Sequence, residues 1–359
     1  MGYPDTAQGF MIEDHSKWTD FKKQDFKLKP FEDYDVDIKI ECCGVCGSDV
    51  HFITGGWGEM ELPVCVGHEV IGKAIKVGSK VKSVKVGDRV GVGAQIGACL
   101  ECKICKSDNE NYCPHQIDTY GAKYPDGTKT NGGYASHIRA HEYFTFPIPD
   151  NIPSEEAAPM MCAGLTTFSP LWRAKVGPGK KVAVIGLGGL GHFGVLWAKA
   201  LGAEVYVISH SPRKKDDALK LGAKDFIISG EKDWFKNWAY TFDFILNTAD
   251  MTHTFDLPSY MSTLNINGTF HHVGLPDEPL PQFKANAFMP NGGAMSGSHI
   301  GSRPEMIKML EIASRGDIHP LIETLPISAE GCKEAVTRVK NNKVRYRFTL
   351  TDYDKAFGA

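Results

Sequence analysis

The stretch Lys181–Lys215, KVAVIGLGGLGHFGVLWAKALGAEVYVISHSPRKK, constrains this chain more than any other. Its apolar run from Val182 to Ile185 predicts a buried parallel strand. The run ends in Gly186, Gly188 and Gly191, spaced G-x-G-x-x-G, with Gly189 and Leu190 filling the loop. An apolar helical segment follows to about Leu201, and a second strand from Val205 to Ile208. Strand, glycine turn, helix and strand in so short a span is the setting that dinucleotide binding requires. One glycine permits the tight turn, one lets the backbone approach a pyrophosphate, and one lets the helix pack against the strand. The helix N-terminus then offers free N–H groups and a partial positive charge to phosphates. Glycine turns are common, so the flanking periodicities carry this inference. Val182–Ala198 contains no Asp, Glu, Lys or Arg, but five glycines and a histidine within it argue against a membrane span.

The end of the second strand selects the cofactor. An NAD site usually places Asp or Glu there to hold the ribose hydroxyls. Glu204 begins that strand and lies at the wrong end. The far end carries Ser209, His210, Ser211, Arg213, Lys214 and Lys215. A small hydroxyl beside a basic cluster suits a 2′-phosphate, which Arg can grip in a fork. The competing reading is a set of solvated charges at a helix start, where acids would be the better fit. NADP(H) is therefore expected.

At 359 residues the chain is long enough for two domains. A net charge of −3 gives no reason to expect nucleic acid or an anionic membrane as partner. The first 20 residues hold four acidic side chains and no apolar core, so no secretory signal is read there and the cytosol is the expected compartment. In that setting ten cysteines point to metal ligation before disulfides.

Val36, Ile38 and Ile40 alternate and predict a half-buried strand. CCGVCGSDVH follows, with Cys46, Ser48, Asp49 and His51 on a glycine-rich loop, and then VGHE with His68 and Glu69. Valine-rich segments cut by glycines, Gly72 to Gly93, predict a small bent β domain or barrel. Cys99, Cys102, Cys105 and Cys113 form C-x2-C-x2-C-x7-C. Four thiolates in so small a loop suit a tetrahedral structural zinc holding a lobe that has little core. An iron–sulfur cluster is the competitor, but the spacing is not a ferredoxin run. From Lys181 onward the α/β pattern predicts a doubly wound parallel sheet. The terminal VRYRFTLTDY predicts a strand that returns to the first domain.

The stretches GVCGSDVH, VGHE, VGVGAQIGACLECKIC, PMMCAGLTTFSPL, VIGLGGLG and VRYRFTL span almost the whole chain. Through them it resembles the zinc-dependent medium-chain alcohol dehydrogenases, in particular the cinnamyl alcohol dehydrogenase branch and its fungal NADP-dependent type. The resemblance implies a Rossmann domain at 158–301 and a discontinuous GroES-like catalytic domain at 1–157 and 302–359. It implies a catalytic zinc on Cys46, His68 and Cys162, which spacing alone could not join, with Glu69 beside it as a transient ligand or a neighbour. It implies an NADP(H)-dependent aldehyde reductase, acting on aromatic or aliphatic aldehydes and, in reverse, on primary alcohols. Ser48 would give the first proton, relayed through the nicotinamide ribose to His51 and solvent, with Asp49 orienting a ligand. Trp57, Gln95, Ile96 and Ile117 would border the substrate. Thr166, Ser298, His299 and Arg347 (or Arg345) would meet the cofactor. Cys42, Cys43, Cys65 and Cys332 are read as buried apolar cysteines. A homodimer through the edge of the Rossmann sheet is expected. Three other readings stay open: a polyol dehydrogenase, a zinc-binding protein without catalysis, and a zinc-free reductase on the same fold.

Overall fold

The computed structural model describes residues 5–58, 60–316 and 318–358. The chain divides into two units. The first comprises Met1–Cys162, Ser302–Gly316 and Leu321–Ala359, and the second Ala163–Gly301 and Asp317–Pro320.

The first unit begins with the hairpin β1 (Thr6–Met11) and β2 (Lys22–Lys27). β3 (Asp35–Val45) runs into the short helix α1 (Gly47–Ile53), and β4 (Val70–Val77) and β5 (Arg89–Val92) follow. β6 (Gln95–Gly97) pairs with β7 (Ile117–Asp118), and the cysteine loop lies between them. β8 (His137–His141), β9 (Thr145–Pro147) and α2 (Ser154–Pro159) complete this stretch.

The second unit holds α3 (Leu165–Arg173), β10 (Lys181–Ile185), α4 (Gly191–Ala200) and β11 (Glu204–Ser209). α5 (Lys215–Leu221), β12 (Asp225–Ile228), β13 (Phe242–Asn247), α6 (Leu257–Ser262), β14 (Leu264–His272) and β15 (Ala294–Gly297) follow. Its six strands are all parallel, in the order β12-β11-β10-β13-β14-β15. The order reverses between β10 and β13, and the glycine turn after β10 lies at that switch point, where such sheets bind ligands. α5 ends at Gly222, whose φ of +103° is the left-handed cap position that favours glycine.

The chain returns to the first unit with α7 (Arg303–Ala313), β16 (Ile322–Pro326), α8 (Ala329–Lys340) and β17 (Arg347–Thr351). The resulting seven-stranded sheet runs β16-β17-β3-β4-β5-β9, with β8 also paired to β3. Strand β3 is buried on both faces, not one. Asp37, on the face expected to be polar, is only 3% exposed. It accepts from the buried Arg139 at 2.6 and 3.0 Å, so the charge is neutralised inside the fold.

Candidate active site and metal centres

The fingerprint glycines differ in backbone angle and surroundings. Gly186 has φ +80°. A Cβ on Gly188 would meet nothing within 4 Å, which leaves that backbone open to a ligand. A Cβ on Gly191 would lie 1.8 Å from the Gly186 carbonyl, so only glycine lets α4 start there. Thr248 clamps the turn from β13, its hydroxyl donating to the carbonyls of Ile185 and Gly186 at 2.9 Å each. Lys214 donates to the Leu187 carbonyl at 2.7 Å, so the basic cluster leans on the glycine turn. Arg213 reaches the Ser211 hydroxyl at 3.3 Å, and Ser209 ends β11. Thr166 is buried in α3. Ser298 faces the buried His271, at 2.9 Å from Nε2, and His299 follows it in the chain.

In the first unit, Cys46, His68, Glu69 and Cys162 are all buried, and one ligand atom of each lies within 4.8 Å of the others. Three local devices aim them. Cys46 precedes α1, and its amide donates to Asp49 Oδ2 at 2.9 Å. The other oxygen of Asp49 accepts from the Gly67 amide at 3.2 Å, so one carboxylate ties the loop of Cys46 to the loop of His68. Tyr134 donates its hydroxyl to the same carboxylate at 3.2 Å. Tyr120 stacks parallel to the His68 ring, 5.4 Å between centroids. Finally, a Cβ on Gly93, just after β5, would lie 2.6 Å from the Met161 carbonyl, so glycine is needed there to seat the turn carrying Cys162.

The set fits zinc. The Cys46 and Cys162 sulfurs are 4.0 Å apart, close to the edge of about 3.8 Å that a tetrahedron with Zn–S bonds of about 2.3 Å demands. His68 Nε2 is buried without a hydrogen-bond partner among the described residues, an arrangement that a metal would satisfy. The Cys46 thiol is lowered well below its usual range, first by the hydrogen bond from Cys162 and then, against burial, by His68. A lowered thiol favours the thiolate that ligates metal.

Ser48 lies 3.6 Å from the Cys46 sulfur. His51, on α1, stacks on Trp57 with ring centroids 4.8 Å apart and planes 7° from parallel. Ile96 is buried and Ile117 half-buried on the β6–β7 pair. Gln95 is buried, and its amide donates to the carbonyls of Gly97 and Glu110, at 3.1 and 2.9 Å, bracing the cysteine loop. Arg347, which the resemblance assigns to the cofactor phosphates, is 5% exposed and donates to Glu69. Nothing in the sequence pattern pointed to that pairing, to Tyr120 or to Tyr134.

The second cluster is Cys99, Cys102, Cys105 and Cys113. Cys99 Sγ lies 3.9 Å from Cys105 Sγ and 3.5 Å from Cys113 Sγ, again the spacing of a zinc tetrahedron. The amides of Glu101 and Cys102 lower the Cys99 thiol to about 6. By contrast, burial pushes the thiols of Cys42, Cys43, Cys65 and Cys332 up, which keeps them inert.

The chain belongs to the zinc-binding alcohol dehydrogenase family. The family model described as alcohol dehydrogenase GroES-like domain matches residues 32–150, and that described as zinc-binding dehydrogenase matches residues 189–315. It is 46% identical to NADP-dependent alcohol dehydrogenase 6 of Saccharomyces cerevisiae, covering 99% of each chain. It is 43% identical to a probable mannitol dehydrogenase of Fragaria ananassa, covering 90% of this chain and 91% of that one. A cinnamyl alcohol dehydrogenase from Sorghum bicolor superposes with a TM-score of 0.91 at 36% identity, covering 96% of this chain and 97% of that chain. The first unit is thus the GroES-like part, carrying the cysteine lobe, and the second the Rossmann part.

Proposed function

We propose that this protein is an NADP(H)-dependent zinc alcohol dehydrogenase working mainly as a reductase of aromatic and aliphatic aldehydes. The observation that carries the reading is the buried convergence of Cys46, His68 and Cys162, with Glu69 beside them. Cys46, His68 and Cys162 would hold the catalytic zinc and the four loop cysteines a structural one. When bound, zinc supplies Lewis-acid polarisation of the substrate carbonyl and NADPH supplies the hydride that reaches its carbon. The chain's residues manage the rest. Ser48 gives the proton that the substrate oxygen needs to become a hydroxyl. His51 stands at the outer end of that proton path. Asp49 holds both ligand loops in register. Trp57 and Ile117, with Gln95 and Ile96 behind them, would shape the pocket. Trp57 offers rigid flat area suited to aromatic aldehydes.

Gly186, Gly188, Gly189, Leu190 and Gly191 would cradle the pyrophosphate, and Ser209, Arg213 and Lys214 the 2′-phosphate. Thr166, Ser298 and His299 would complete the cofactor site. The catalytic domain would take in 1–157 and 302–359, and the cofactor domain 158–301. The exposed edge strand β15 supports a homodimer through that sheet. Among the described residues no helix is long and apolar enough to cross a membrane, and a cytosolic setting, where NADPH is kept reduced, would favour reduction.

The test is a two-cofactor rate assay with zinc counted per chain. Cinnamaldehyde with NADPH should be reduced rapidly by protein holding two zincs. Faster oxidation of mannitol than of cinnamyl alcohol would favour the polyol reading, which the Fragaria likeness keeps in view. One zinc and no turnover with either cofactor would overturn the assignment.

A further inference from the structure

The loop that carries Trp57 cannot hold its own shape. In Gly55-Gly56-Trp57-Gly58, three of four residues are glycine. Gly55 and Gly58 take left-handed backbone angles, φ +71° and +109°. Such a stretch has the least intrinsic preference and the most entropy to lose. Its backbone bonds are local: Gly55 to Phe52 at 3.1 Å, Gly56 to His51 at 2.8 Å, and Gly58 to Gly55 at 3.0 Å. Yet Trp57 lies flat on His51. That position has to be imposed from outside the loop.

A turn near the start of the chain does this. Asp14 accepts from the Ser16 amide at 2.8 Å and the Ser16 hydroxyl at 2.7 Å, capping a single 3-10 turn, His15–Lys17. The cap fixes His15. Its Nδ1 lies 2.9 Å from the Ile53 carbonyl, which can only accept, so Nδ1 carries the proton. Nε2 lies against the Met60 backbone, 3.4 Å from its amide and 3.3 Å from its carbonyl. The two contacts hold opposite ends of the loop, Ile53 at the end of α1 and Met60 beyond Trp57. The ring also covers Gly55, where a Cβ would lie 3.7 Å from His15 Cγ. Nearby, Ile12 and Val64 exchange backbone bonds at 3.0 and 3.1 Å, joining the segment before the His15 turn to the segment after the loop.

We propose that His15 is a specificity-determining positioning residue, clasping Ile53 and Met60 so that Trp57 is held against His51 and presents a fixed wall to bulky substrates. The proposal rests on the reading of Trp57 as part of the substrate pocket. A large flat aldehyde meets that wall, and a two-carbon aldehyde does not reach it. The clasp therefore acts through KM, and selectively.

The experiment uses the zinc-loaded full chain and its His15→Ala variant, with cinnamaldehyde and acetaldehyde as substrates and NADPH as reductant. Hydrogen exchange of amides in residues 54–60 is read in parallel. The expected result is a KM for cinnamaldehyde raised about fivefold, the loss of one or two ordinary hydrogen bonds, with kcat and the acetaldehyde KM within about twofold. Exchange across the loop should rise. His15→Asn, whose amide nitrogen takes the place of Nδ1, should recover part of both effects. Unchanged exchange would overturn the clasp, whatever the kinetics. An equal KM rise for both aldehydes, with a lowered melting temperature, would overturn the selective role. Failure of the parent enzyme to reduce either aldehyde would instead overturn the functional reading, and exchange would still decide the clasp.

Discussion

Arg347 donates to the carboxylate of Glu69 in an ion pair that solvent barely reaches, although 278 residues separate the two in sequence. Strand pairing makes the meeting possible, because β17 lies beside β3. Gly44 of β3 provides the room, since a Cβ there would lie 2.0 Å from Glu69 Oε2. Replacing Arg347 by Met would leave a buried carboxylate without its cation. Removing one partner of such a pair costs about 3–5 kcal/mol. Urea unfolding of Arg347→Met should show a loss of that size, and Arg347→Lys a smaller one. Equal stability of parent and Arg347→Met would mean that Glu69 is already neutral in the folded chain.

The cysteine loop should depend on its metal. Four sulfurs gather where few apolar side chains do, and in small lobes of this kind metal binding supplies folding energy. Cys102→Ser should lower zinc from two per chain to one and make residues 99–113 a site of protease cleavage. A variant that kept both zincs and its resistance would refute the structural role of that cluster.

The basic cluster after β11 should set cofactor choice. Ser209→Asp with Arg213→Ala would remove the charge-assisted grip proposed for the 2′-phosphate and add an acceptor for ribose hydroxyls. KM for NADPH should rise about tenfold or more, while NADH improves. Steady-state kinetics with both cofactors checks this, and an unaltered preference would move the determinant elsewhere.

His271 should make stability depend on pH. It is 7% exposed, and its two ring nitrogens meet the hydroxyls of Ser296 and Ser298 at 2.8 and 2.9 Å. Burial, then the charge of His272, lowers its pKa from 6.5 to about 4. Between those values the unfolded chain binds a proton that the folded chain refuses. Stability from this group is therefore full above the unfolded value and is lost as pH falls towards 4. The loss between pH 7 and 5 should be about 2 kcal/mol. Denaturant titrations of the parent and of His271→Asn should differ in slope over that range, and parallel slopes would exclude His271 as the source.

Much of this architecture is legible in the sequence where the cause is local. The turn at Gly186 and the cysteine loop are written in neighbouring residues, because backbone angle and ligand spacing are short-range constraints. The half-buried reading of β3 failed for a non-local reason. Arg139 lies 102 residues from Asp37 and makes its burial tolerable. The gathering of Cys46, His68 and Cys162 was legible only through family resemblance, since the two cysteines are 116 positions apart. Asp49 is read from the sequence as orienting a ligand, but the partner that it grips is not written there. Its grip on Gly67 depends on a sheet register that no periodicity reveals.

The sheet order also bears on synthesis. Strands β10 to β15 all lie between residues 181 and 297, so the ribosome releases the complete parallel sheet as one continuous stretch. The other sheet needs β17, which sits between β16 and β3 and ends at Thr351. Its earlier strands, with the buried cluster around Cys46, must wait for that late partner with an open edge. During translation the second unit can fold first, and the first is the one that needs protection while it waits.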